Sequence, residues 1–136
     1  MAQKVEWSDS YLLGISEIDE QHKKLIAIAN EFYNVVVSSA DVYKAKMPAI
    51  LAKLKDYTIY HFSHEEQFMQ KFGYIGSAAH KTAHDGFIKE VEYHAGKISI
   101  EDSSSAAKFY DFIVVWLLNH IAKADKVWAK FVKPQL

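Results

Sequence analysis

Seven side chains able to bind a metal stand where a helix core would ordinarily carry Leu, Ile or Phe. They are His22, His61 with Glu65, His80 with His84, and His120 with Asp125. A buried imidazole or carboxylate without a partner costs on the order of a few kcal/mol. Seven of them in one small bundle must therefore be used together, and a metal centre does this. A single ion cannot take seven ligands. Two ions bridged by Glu65 and Asp125 can take all of them. Three histidines plus the shared bridges complete one ion, while two histidines on the other leave a place open for a small molecule. The chain has no cysteine, which excludes disulfides, iron–sulfur clusters and thiolate sites. Imidazole and carboxylate alone suit iron, zinc, manganese or copper.

Bringing these groups to one level takes several helices, and four helical patterns follow an irregular arm over roughly 1–15 that contains Trp7 and Tyr11. The first opens at Ser16, with Asp19 completing a capping-box-like pair, and is expected to stop near Ser38–Asp41. Its apolar stripe reads Ile18, His22, Leu25, Ala29, Phe32, Val36, the 3-4-3-4 spacing of one helix face. The second is expected from Val42 or Lys46 to Phe72, with Pro48 in its first turns and Gly73 ending it. Its stripe reads Ile50, Leu54, Tyr57, His61, Glu65, Phe68, Phe72. The third starts after Ser77 as N-cap and fades near Gly96, with His80, His84, Phe87 and Val91 on one face. Two histidines at i and i+4 form a compact metal clamp. After the loop SIEDSSS, where Asp102 or a following Ser can cap, the fourth carries Phe109, Ile113, Trp116/Leu117, His120, Ala124 and Val127/Trp128. Short connections favour an all-α, antiparallel up-down-up-down four-helix bundle spanning about 16–132.

In that arrangement His22, Glu65, His84 and Asp125 each lie about six or seven residues from the same end of the bundle. At roughly 1.5 Å per residue they share one layer. One pair fits poorly. His120 and Asp125 are five residues apart, about 140° around an ideal helix. Either the helix is distorted there or Asp125 reaches around from the side.

The chain's 136 residues predict one domain, 1–136. Half of them are hydrophobic, which is enough for one core. A net charge of −1 gives no basic field for nucleic acid or an anionic membrane. No run approaches the roughly 18 apolar residues of a membrane span. The opening MAQKVEWSDS lacks the apolar core of a secretion signal, so the cytoplasm is expected. Oxygen-activating carboxylate di-iron bundles use paired Glu-x-x-His motifs, and none supplies ligands here. The apolar Phe62, Trp116, Leu117 and Ile121 around the site offer no general acid or base. That balance favours holding a small gas over turning over an organic substrate.

The motifs in their order resemble the hemerythrins, in particular their single-domain bacterial form. Trp7 through Gly14–Ile15 and Ile18-Asp19-x-x-His22-x-x-Leu25 are similar to the family's opening. His61-Phe62-x-x-Glu65-Glu66, His80-x-x-x-His84-x-x-Phe87 and Trp116-Leu117-x-x-His120-Ile121-x-x-x-Asp125 are similar to its later motifs, the five-residue interval included. The resemblance covers nearly the whole chain. It implies two iron ions with a bridging oxo or hydroxo group, and dioxygen bound reversibly. It assigns His80, His84 and His120 to the fully coordinated iron, and His22 and His61 to the one with the open position. Glu65 and Asp125 bridge. Leu117 corresponds to an apolar residue shielding the bound gas, with Phe62, Trp116 and Ile121 around it.

Other residues take plainer readings. His64 points away from the Glu65 direction and is expected to be a non-ligand. His94 is read as surface or satisfied core, and Glu66 as solvent-facing or supporting a ligand. Phe62, Phe87 and Trp116 are read as packing rather than an electron path. The expected role is a dioxygen carrier, store or supplier to an oxygen-consuming client enzyme, not itself an enzyme and a monomer. A redox sensor, or an enzyme reducing peroxide or nitric oxide, is the alternative. A single-haem bundle would strand most of the ligands.

Overall fold

The computed structural model describes residues 1–136 and contains helices and turns only. After a single 3-10 turn at Asp9–Tyr11 come α1 (Ser16–Val36), α2 (Ala40–Lys71) and α3 (Ser77–Ala95). Then come α4 (Ser104–Asn119), a π-helical turn at His120–Asp125, and α5 (Lys126–Val132). The residues joining α4, the π turn and α5 all have right-handed helical dihedrals, so the three form one continuous rod. Each helix packs on the next, and α1 also packs on α4, closing the expected four-helix bundle. No helix is long and apolar enough to cross a membrane.

Several helix ends differ from expectation. Ser16 is the first residue of α1 rather than its cap. Ile15 holds that place with no side-chain hydrogen bond. Asp19 instead reaches back to the arm and accepts from the Leu13 and Gly14 amides at 2.7 and 3.1 Å. Helix α2 starts earlier than expected because the Ser39 hydroxyl accepts from the Val42 amide and caps it. Pro48 therefore lies inside the helix, beyond the first turns. It removes the donor that would meet the Lys44 carbonyl, and both residues are on the exposed side. At the other end Gly73 takes φ +68° and lets the Tyr74 amide reach the Met69 carbonyl at 2.9 Å, which stops the helix. Gly76, not Ser77, precedes α3.

The π turn settles the misfit at the end of the bundle. A π turn spends one extra residue per turn through i→i+5 hydrogen bonds, so His120 and Asp125 come onto the same face. The register change also corrects the expected stripe. Asp125, Trp128, Ala129 and Val132 are buried, whereas Ala124 is half-buried and Val127 is exposed.

The apolar core is in two parts. The larger runs along the bundle through Leu25, Phe32, Leu54, Phe62, Phe87, Phe109 and Leu117. A smaller cluster of Leu13, Ile15, Ile18, Met69, Trp128, Ala129 and Val132 plugs the end where the arm and α5 meet. The seven polar residues singled out above lie between the two.

Candidate metal centre

All seven predicted ligands are brought together and all are buried, His22, Glu65 and Asp125 completely so. Their ligand atoms fall into two groups that share both carboxylates. His80, His84 and His120 join Glu65 and Asp125 in one group. His22 and His61 join the same two carboxylates in the other. Each carboxylate offers a different oxygen to each side. Glu65 Oε1 lies 3.3 Å from His84 Nε2, while its Oε2 lies 3.2 Å from His22 Nε2 and 3.5 Å from His61 Nε2. Asp125 Oδ1 lies 3.0 Å from His80 Nε2 and 3.1 Å from His120 Nε2, while its Oδ2 lies 3.2 Å from His22 Nε2.

The spacings fit two ions. Atoms about 2.1 Å from one ion and at right angles stand about 3.0 Å apart. The Nε2 atoms of His84 and His120 are 3.0 Å apart, and those of His120 and His80 3.1 Å. Glu65 Oε1 and Asp125 Oδ2 are buried with no hydrogen-bond donor, although a ring nitrogen is near each. In both groups the ring nitrogens and carboxylate oxygens thus converge on a common point.

The electrostatics agree. Burial works against charge on Glu65 and Asp125, and they repel one another, yet the surrounding imidazoles hold both carboxylates ionised, below their ordinary pKa values. Burial opposes charge on His22 as well, but Asp125 and Glu65 outweigh it and raise that ring from 6.5 to about 9. His84 is raised in the same way, against burial, by Glu65 and Glu66. A compact, ionised pair of carboxylates ringed by imidazoles is a cation site before any cation enters.

Behind the ligands the two groups are supported differently. His84 Nδ1 donates to Glu66 Oε2 at 2.9 Å, so Glu66 supports a ligand. Trp128 Nε1 donates to Asp125 Oδ1 at 3.1 Å. On the other side His61 Nδ1 donates to Gln21 Oε1 at 2.8 Å, and Gln21 Nε2 reaches His64 Nδ1 at 2.8 Å. His64 belongs to neither ligand group. His94 is half-exposed, 3.6 Å from Glu90. Phe62 stacks on the His84 ring with centroids 3.7 Å apart and lies 6.0 Å from His61. Trp116 stacks on His120 at 4.4 Å and on Phe87 at 4.0 Å. Leu117 and Ile121 are buried. Sequence reasoning missed Gln21 and Trp128 as supports. Gln21 directly precedes His22, and Trp128 follows Asp125 by three, so adjacency to a ligand was the available clue.

A four-helix bundle with two histidine groups sharing two carboxylates defines a helical-bundle protein able to bind metal without haem. The hemerythrin HHE cation binding domain matches residues 13–132. The bacteriohemerythrin of Clostridium acetobutylicum is 37% identical over 122 residues, covering 88% of this chain and 95% of that one. That of Stenotrophomonas maltophilia is 35% identical, covering 96% and 82%. A solved wild-type hemerythrin superposes with a TM-score of 0.79 at 27% identity, over 96% of this chain and 98% of that one. The chain belongs to the hemerythrin family.

Proposed function

We propose that the protein binds dioxygen reversibly at a di-iron centre, as a carrier, store or supplier to oxygen-consuming enzymes. The observation that carries this reading is the asymmetry of the two ligand groups. One has three imidazoles and two carboxylate oxygens, the other two imidazoles and two carboxylate oxygens. With one further shared oxo or hydroxo bridge, six-coordinate iron is complete at the first group and one ligand short at the second.

The chemistry that two irons would supply here is reversible two-electron exchange with dioxygen. The chain's own residues do the rest. His80, His84 and His120 would hold one iron, and His22 and His61 the other, with Glu65 and Asp125 shared between them. Phe62, Leu117 and Ile121 are buried beside this layer. They keep bulk water away and offer no proton donor or acceptor. That supports a binding protein rather than an enzyme reducing peroxide or nitric oxide, which must move protons at each turnover.

The test is a visible spectrum of anaerobic, iron-loaded, reduced protein exposed to dioxygen and then degassed. A charge-transfer band that appears with dioxygen and vanishes on degassing is expected. Irreversible conversion to the ferric form would overturn the carrier reading.

A further inference from the structure

Gln21 lies between an imidazole in the site and one near the surface. It is buried, and its amide faces His61 Nδ1 through Oε1 and His64 Nδ1 through Nε2, both at 2.8 Å. His64 has about a quarter of its side chain exposed, and its ring lies 4.4 Å from that of Tyr60.

The two ends of an amide are not interchangeable. With Oε1 toward His61, the amide accepts the Nδ1 hydrogen and leaves Nε2 of that ring free to bind a metal. Turned over, its NH2 would face His61 Nδ1 and favour the tautomer whose hydrogen blocks Nε2. In its tautomer with Nδ1 unprotonated, His64 accepts from the amide NH2 and holds the amide in the first orientation. Glu17 Oε1 also lies 3.2 Å from His64 Nδ1. A nitrogen that accepts from Gln21 has no hydrogen to give Glu17. That carboxylate is more than half exposed, so the contact is solvent-screened and weak.

We propose that His64 is a positioning residue that sets the orientation of the Gln21 amide and so presents His61 Nε2 to the iron of the two-histidine group. It acts on that half alone, because His84 in the other half is supported by Glu66. The inference rests on the two-iron reading above.

The test is release of iron from the loaded ferrous protein to a chelator, with Mössbauer spectra identifying which iron leaves. In His64→Leu the two-histidine iron should leave about ten-fold faster while the three-histidine iron keeps its rate. His64→Gln, which restores a carbonyl acceptor, should return that rate to within about two-fold of the parent. In a Gln21→Glu background either carboxylate oxygen can accept from His61, so adding His64→Leu should change nothing further. Glu17→Ala should be silent. Equal acceleration of both irons, the same loss in the Gln21→Glu background, or a Glu17→Ala effect matching His64→Leu would each overturn the proposal. A parent protein carrying fewer than two irons would overturn the two-iron reading and this inference with it. Two irons in the parent with no selective loss overturns this inference alone.

Discussion

The two halves of the centre share two carboxylates and differ in almost everything else. The half formed by His80, His84 and His120 has three imidazoles. An anionic support, Glu66, stands behind His84, and aromatic rings lie flat on His84 and His120. The half formed by His22 and His61 has two imidazoles and a neutral amide support behind His61. His22 Nδ1 has no hydrogen-bond partner. A carboxylate behind a ligand imidazole raises its basicity more than an amide does. One half would thus hold an ion more firmly in an oxidised state than the other. On the proposed two-iron reading, the shared carboxylates would couple the ions and the unlike supports would tune them differently.

The largest expected effect comes from removing a ligand on either side. His84→Ala should lose both irons and lower the Tm of the loaded protein by about 10 °C or more, since metal affinity is part of folding stability. His61→Ala should retain the three-histidine iron, so iron analysis should find close to one per chain. Equal losses from the two variants would erase the distinction between the halves.

A smaller effect is expected from the supports. Glu66→Gln makes the two halves alike, and should raise the reduction potential of the three-histidine iron and weaken its binding about ten-fold. Redox titration of the variant checks this, and an unchanged midpoint would show that the Glu66 contact does not tune the iron.

Shielding comes next. Leu117→Ala opens space beside the site, and conversion to the ferric form in air should quicken several-fold, as followed by the loss of the dioxygen-dependent band. An unchanged rate would remove Leu117 from the shielding role.

The smallest effect is a pH dependence of the metal-free chain. The His22 pKa is raised above its ordinary 6.5 to about 9 by Asp125 and Glu65, against burial. The stabilisation from its proton is fully present below pH 6.5 and is lost as pH rises through about 9. The metal-free Tm should therefore fall across that window. In the loaded protein the ring nitrogen holds iron, and the Tm should stay level.

The seven residues that cluster were legible in the sequence because each interrupts an apolar stripe at helical spacing. His22 stands among Ile18, Leu25 and Phe32, and no solvent-facing reading fits it. The bundle was legible from short connections between amphipathic helices. The π turn was not. An interval of five between His120 and Asp125 reveals a misfit, but only the backbone shows that the helix, rather than the side chain, absorbs it. Ala124 and Val127 were misjudged for the same reason, since they lie within and beyond the π turn, whereas Trp128 is buried as the stripe predicted. Pro48 was misplaced because Ser39, a strong cap, was passed over as part of the preceding break. Gln21 could not be read at all. Its role depends on the relative rotation of α1 and α2, which no spacing within one helix records.

The division of the apolar core reaches beyond oxygen chemistry. The cluster around Trp128 and the one around Phe32 have no member in common, so grease alone does not join the arm end of the bundle to the rest. Ions bound between the two clusters would act as rivets through a seam. With them in place, opening either end would have to break coordination bonds, and the chain should unfold as one body. Without them the seam would be held by imidazole–carboxylate contacts, and the end around α5 becomes the natural unit of partial unfolding, while the start of the arm stays tied to α1 and α4 through Asn30, Tyr110 and Asp111. Metal supply would then govern how much of the chain a protease can reach.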